Sequence, residues 1–195
     1  ARGVASVYLS DRGSVFASNE ARELLLILNA ILSQGKESAI RSALATHLLG
    51  WQVDELDTLN QDDVLYEDWV ERFKTYFDIW HKDGVLPMIR ALIQVLSLAP
   101  KLLAGMQGER RLNDLLHLGE KLQQKAKEFE SKEGLVRYLA LAIQTPNGDS
   151  DEQKIRLESD DELVRIITIH KSKGLEYPLV YLPFAFTPFR NNGKY

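Results

Sequence analysis

Residues 69–80 read WVERFKTYFDIW, and this stretch decides the fold class. Its aromatic residues recur at spacings of three and four, the period of an α-helix that buries one face. These residues are Trp69, Phe73, Tyr76, Phe77 and Trp80. Charged residues fill most of the positions between them. We interpret the aromatic stripe as protein core, although a row of aromatic rings could also stack against nucleic acid bases.

The helical period continues on the amino-terminal side of this stretch. Ser18 is a suitable cap for a first helix with an inward row of leucines. A second helix is expected from about Ser38 to Leu49, followed by a loop over residues 54–60 that contains Asp54, Asp57 and Asn60. On the other side, Gly84 is expected to end the aromatic helix.

Three further helices are expected towards the carboxyl terminus. One begins near Pro87 and is limited by Pro100. A long helix covers Gln107 to Phe129, and Ser131 can cap the next one. Residues 18–145 are therefore predicted to form a nearly all-helical body.

The two ends of the chain have residue patterns that predict strands. Residues 4–9 resemble a short strand, and residues 163–169, LVRIITI, are typical of a strand buried on both faces of a parallel sheet. Residues 179–182 are expected to form another strand. The predicted fold is mainly α, a helical subdomain inserted in a partial parallel α/β sheet. Its expected divisions are residues 1–17, 18–145, a linker at 146–162, and 163–195.

Composition limits the possible classes of protein. The 195 residues carry a net charge of -4 and contain no cysteine, which excludes disulfide scaffolds and thiolate metal sites. The sequence contains no run of about 18 apolar residues, so no membrane span is predicted. A cytoplasmic protein is expected. An acidic balance disfavours a free-standing nucleic acid binder. The first residues, Ala1 to Val4, indicate a chain cut from a longer protein.

The segment with distinctive chemistry is residues 164–184, VRIITIHKSKGLEYPLVYLPF. A strand ends near Ile169, and the loop from His170 to Gly174 brings two lysines, a hydroxyl and a glycine. The end of a strand that leads into a helix start is where α/β sheets bind ligands, and free backbone amides there favour phosphate. The alternative is a plain β-turn-α connection with solvated lysines, and spacing alone does not decide between them.

A family resemblance favours the first interpretation. Residues 168–177, TIHKSKGLEY, resemble motif V of superfamily 1A DNA helicases. Residues 111–118, RLNDLLHL, resemble motif IVa of that group. Residues 6–10, 14–16 and 20–21 resemble the sequence of its RecB branch just after motif IV. Residues 177–184 leave motif V in the manner of the RecB branch. The order along the chain is that of the family.

The resemblance implies roles for individual residues. Thr168, His170, Ser172 and Lys173 would contact DNA, while Gly174 and Glu176 would contact the nucleotide, Glu176 through the ribose of ATP. The ends of the chain would be the edge of a RecA-like domain, called 2A, and the helical body would be the insertion called 2B. The implied activity is an ATP-dependent DNA helicase and exodeoxyribonuclease V subunit, acting in double-strand break repair and recombination.

The same resemblance implies cofactors and partners. ATP and Mg²⁺ would serve the full-length protein, with single-stranded and duplex DNA and RecC-like and RecD-like subunits as its partners. This chain contains no G-x-x-x-x-G-K-[ST] phosphate loop, and phosphoryl transfer needs such parts together. The chain by itself is therefore expected to hydrolyse no ATP, to hold no metal or cofactor and to have no catalytic residue.

Other residues have more ordinary interpretations. His47, His81 and His117 lack partners at metal-ligand spacing, and packing is the expected role of His117. Arg110 and Arg111 could lie near a DNA path or could equally be a solvated helix start. The rival function is a helical protein-interaction module without a direct DNA role, which the acidic balance favours.

Overall fold

A computed structural model provides the three-dimensional description of this protein. It describes residues 6–8, 14–33, 35–105, 107–146, 164–166, 172–173 and 176–182. The chain divides into two compact units. One comprises residues 1–11 and 163–195, and the other comprises residues 12–162.

The second unit is helical, as the sequence predicts. After a short 3-10 helix at Val15–Ala17, its helices are α1 Asn19–Leu32, α2 Glu37–Leu44, α3 Val53–Gln61, α4 Asp63–Asp83, α5 Val85–Val95, α6 Leu98–Leu103, α7 Gly108–Lys125 and α8 Lys132–Gln144. Helix α1 packs against α2, α4, α7 and α8, and α5 packs against α4, α6 and α7. The core is built from the inward leucines, isoleucines and aromatic residues of these helices.

The aromatic stripe of α4 is part of that core. Trp69, Phe73, Tyr76 and Trp80 are each 2–7% exposed, whereas Phe77 is half-buried. Trp69 packs edge-on against Trp51, with ring centroids 5.4 Å apart. The interpretation of the stripe as core is confirmed for these four rings, because a base-stacking platform needs ring faces open to a ligand.

Hydroxyl caps act where the sequence predicts them. The Ser18 hydroxyl accepts a hydrogen bond from the Ala21 amide at 3.1 Å, at the start of α1. The Ser131 hydroxyl accepts one from the Gly134 amide at 3.1 Å, at the start of α8. Each satisfies an amide that has no partner within its helix, which sets the first turn.

The second helix is shorter than expected, since α2 ends at Leu44. The chain then turns, and the buried Glu23 carboxylate accepts a hydrogen bond from the Leu48 amide at 2.8 Å. The Thr46 hydroxyl accepts another from the Leu49 amide at 3.3 Å. Side chains thus satisfy amides that a longer helix would have bonded internally.

The expected loop over residues 54–60 is wrong, because these residues belong to α3. The Glu55 carboxylate accepts a hydrogen bond from the Gln52 amide at 2.7 Å, which stabilises the first turn. Leu59 is buried at 3% exposed and anchors the helix. The Asp and Asn residues that suggested a loop occupy its exposed face.

Glycine and proline act differently at the next two boundaries. Gly84 has a φ of +103° and separates α4 from α5, which begins at Val85. Pro100 does not end α5, which stops at Val95. It lies in the first turn of α6, where the missing amide hydrogen costs nothing. The long helix predicted to reach Phe129 is α7 followed by a 3-10 turn at Ala126–Glu128.

The first unit contains a parallel pair of strands, β1 Ser6–Tyr8 and β2 Val164–Ile166. Ser6 pairs with Val164, Val7 with Arg165 and Tyr8 with Ile166. The expected strand at residues 179–182 is wrong, since these residues have no regular structure. Their side chains are 57–89% exposed, and no described strand pairs with them. The predicted linker falls largely outside the described residues.

Candidate functional site

The candidate phosphate and DNA loop follows β2 in the chain. Because β1 and β2 are parallel, their carboxyl ends lie at the same edge, where parallel sheets bind ligands. The segment 168–177 begins two positions after β2 ends. A connection that leaves this edge can present its backbone amides and side chains to a bound anion.

Three of the six predicted contact residues are described. Ser172 and Lys173 form a turn, with Ser172 half-buried and Lys173 exposed. Glu176 is also exposed. Thr168, His170 and Gly174 lie outside the described residues, so their predicted roles stay predictions. The exposed ammonium and carboxylate are open to solvent, as groups that receive a ligand must be.

A buried polar cluster that sequence reasoning missed joins α1 to α7. Arg111 Nε lies 2.6 Å from Glu20 Oε1, and the Glu20 side chain is only 7% exposed. Glu20 stands in the first turn of α1, so the positive end of that helix also favours its carboxylate. Arg111 is therefore an internal ion-pair partner, which is neither of the two roles considered from the sequence.

Asp114 is a further member of this cluster. It is 4% exposed, and its Oδ2 lies 3.9 Å from Arg110 Nε. Burial raises the pKa of Asp114 to about 6; Arg110 lowers it, and the Glu20 charge adds to the increase. Asp114 Oδ1 is buried and has no hydrogen-bond partner among the described groups. A carboxylate in this position is costly when ionised.

Register on α7 could have revealed the cluster. Leu115, Leu118 and Leu122 are buried completely and define the inward face. Asp114 lies four positions before Leu118, so a polar residue stands on that face. His117 is also buried, at 5% exposed, which agrees with the packing role expected for it. The signal in the sequence is a charged residue at a position of α7 where the helical period places apolar residues. Charged side chains that are buried in this way are usually paired with an opposite charge.

Two further properties concern the described part of the chain as a whole. Among those residues, no group of three His, Cys, Asp or Glu side chains is arranged to hold a metal ion. None of the described helices combines the length and apolar character that a membrane crossing requires.

Comparison with known proteins agrees with the family resemblance. Residues 101–187 match the model of the UvrD-like helicase C-terminal domain, a range that includes α7 and the segment 168–177. The RecBCD enzyme subunit RecB of Escherichia coli K12 is 49% identical over 187 residues, which cover 96% of this chain and 16% of that protein. The RecB of Haemophilus influenzae is 42% identical over 98% of this chain and 16% of its own length.

More distant relatives extend the same relationship. The RecB of Mycolicibacterium smegmatis is 30% identical over 97% of this chain and 17% of that protein. The chain therefore spans about one sixth of the length of the curated relatives it matches.

Proposed function

The chain belongs to the RecB family of UvrD-like helicase subunits, and we propose that it carries the element that couples ATP to single-stranded DNA in such a protein. The observation that carries this proposal is the segment TIHKSKGLEY at residues 168–177, which follows a parallel strand and lies within the helicase-domain match. The full-length protein would be an ATP-dependent DNA helicase and exonuclease acting in double-strand break repair and recombination.

The proposed mechanism assigns the two ends of the segment to different ligands. Thr168 and His170 hold the DNA backbone, with Ser172 and Lys173 along the strand. Gly174 lets the main chain approach the nucleotide, and Glu176 reaches the ribose. Because one short loop touches both, opening and closing of the ATP cleft would move the grip on the strand.

The rest of the chain has a supporting role in this proposal. The unit with β1 and β2 is the edge of a RecA-like domain, and the helical unit is the insertion that orients duplex DNA or a RecC-like subunit. ATP, Mg²⁺ and a RecD-like subunit belong to the full-length complex. Phosphoryl transfer needs a phosphate loop and an arginine finger acting together, so this chain alone should not hydrolyse ATP.

The test is His170→Ala in the full-length protein within its complex. Loss of a hydrogen bond to a charged group costs about 1.5–3 kcal/mol, so DNA-stimulated ATPase and unwinding should each fall roughly tenfold or more. Arg137→Ala, on the exposed side of α8, is the matched control and should leave both unchanged. Wild-type levels of both activities in the His170 variant would refute the assigned role.

A second candidate function, a protein-interaction module, is favoured by the charge of α3 and α4. Residues 52–83 contain ten Asp or Glu and three Lys or Arg, a net charge of -7. Val53 and Val64 are 75% and 77% exposed there. DNA binding by the 195-residue chain, measured against salt concentration with a fluorescent oligonucleotide, separates the two, since phosphate contacts produce a steep salt dependence.

A further inference from the structure

A surface cavity of about 360 Å³ lies in the helical unit, where the end of α4 meets the starts of α5 and α8. Its floor is apolar and buried, made by Trp80, Val85 and Leu135. Phe77 and Phe129 also line it. The volume is at the small end of the range for ligand pockets, about 300–1,000 Å³, and suits one or two side chains of a partner.

Local structure holds the cavity open without a ligand. The Gln123 side chain accepts a hydrogen bond from the Leu86 amide at 3.1 Å and packs against Gly84. On the opposite side, the Ser131 cap holds the first turn of α8. Phe129 packs against Tyr138, with ring centroids 5.8 Å apart. A preformed cavity reduces the entropy that a guest must lose on binding.

The rim carries two available carboxylates. Glu130 and Glu133 line the cavity, both are exposed, and neither pairs with a cation among the described residues. Lys132 also lies on the rim and contacts two neighbouring side chains. Its Nζ lies 3.0 Å from His81 Nδ1 and 5.1 Å from the centre of the Phe77 ring. The cavity therefore offers a guest apolar walls and a rim of two carboxylates and one ammonium, which together carry a net charge of -1.

We propose that this cavity receives an arginine side chain presented by a partner protein. The arginine stem suits the apolar floor, and the guanidinium has enough N–H groups to donate hydrogen bonds to both Glu130 and Glu133. Arginine is also among the residues that dominate binding energy at protein interfaces. A nucleic acid phosphate would be repelled by Glu130 and Glu133, so the site is distinct from the candidate DNA loop and does not depend on the proposed function.

The first experiment uses the 195-residue chain and the peptide acetyl-Leu-Arg-Leu-amide. Amide and indole NMR signals of Gly84, Trp80 and Gly134 should shift in a saturable way as the peptide is added. The same peptide with citrulline in place of arginine keeps the shape and removes the charge. It should bind several-fold more weakly. Equal binding of the two peptides, or shifts confined to other residues, overturns the proposal.

Variants of the chain give the second test. The double variant Glu130→Gln/Glu133→Gln should weaken the arginine peptide roughly two- to fivefold per carboxylate, as for a partly exposed ion pair. Glu109→Gln, which removes an exposed first-turn glutamate of α7, should not. Ala126→Phe should abolish binding by filling the cavity, with the far-ultraviolet circular dichroism unchanged. Binding that survives Ala126→Phe in a folded protein overturns the assignment to this cavity.

Discussion

Glu20 and Arg111 are separated by 91 positions in the sequence, yet Glu20 Oε1 lies 2.6 Å from Arg111 Nε. The pair connects the first turn of α1 to the amino-terminal end of α7. Glu20 is buried, while the Arg111 side chain is 30% exposed. The contact therefore holds together the start of the helical unit and the helix that resembles motif IVa.

Arg111→Ala should destabilise the helical unit, because it leaves the Glu20 carboxylate buried without its cation. The expected loss in the free energy of unfolding is about 1–3 kcal/mol, measured by urea denaturation. Arg137→Ala, which removes an exposed arginine from α8, should change it by less than about 0.5 kcal/mol. Equal effects of the two substitutions would contradict the structural role of the ion pair.

Asp114 should make stability depend on pH. Its pKa is about 6 in the folded chain against an ordinary value of 3.8 for aspartate, so the folded state binds the proton more tightly than the unfolded state. Asp114 therefore costs no stability below pH 4, and the cost develops as pH rises from about 4 to 6. Above pH 6 the full cost should be about 1–3 kcal/mol.

Asp114→Asn isolates this effect, since asparagine does not titrate. The difference in unfolding free energy between the variant and the wild type should shift in favour of the variant as pH rises between 4 and 6. Asp57→Asn, an exposed position on α3, is the control. If the difference in unfolding free energy between Asp114→Asn and the wild type stayed constant across this range, burial would not raise the pKa of Asp114.

Gly84→Ala should destabilise the junction between α4 and α5. Gly84 has φ +103° and ψ 175°, a conformation almost restricted to glycine that costs other residues about 1–3 kcal/mol. An added Cβ would also lie 2.5 Å from the Gln123 side chain. Gly105→Ala is the matched control, because its added Cβ would meet its nearest neighbour at 3.4 Å. Similar melting temperatures for the two variants would contradict this account.

Phe73→Ala tests the aromatic stripe as core. Phe73 is 2% exposed, and truncation of a buried phenylalanine costs about 3–5 kcal/mol. Val64→Ala, on the same helix but 77% exposed, should change the free energy of unfolding by less than about 0.5 kcal/mol. If chemical denaturation showed Phe73→Ala to be as stable as the control, the stripe would have to serve another purpose.

Several features of the fold could be predicted because they depend only on a few residues that are close together in the sequence. The 3.6-residue period of α4 and the hydroxyl caps Ser18 and Ser131 are local signals, and the structure contains all three. Helix α3 was missed because its many Asp and Asn residues outweighed the few apolar positions. The end of α2 was misplaced because the Glu23 carboxylate that bonds the Leu48 amide is 25 positions away.

The candidate sites divide in the same way. The segment 168–177 could be identified as a candidate from the sequence, because the ten residues that resemble the helicase motif are contiguous. The buried pair of Glu20 and Arg111 and the cavity beside Trp80 could not. Each combines side chains from separate helices.

The sequence alone therefore determined the helical character of the body, the principal helix caps and the family to which the chain is related. Tertiary structure decided which charged residues are buried, that Arg111 meets Glu20, and that Asp114 lies where its pKa rises. The physical reason is the separation along the sequence of the residues that interact. Helical periodicity and capping depend on residues three or four positions apart, whereas burial and ion pairing depend on which helices pack together.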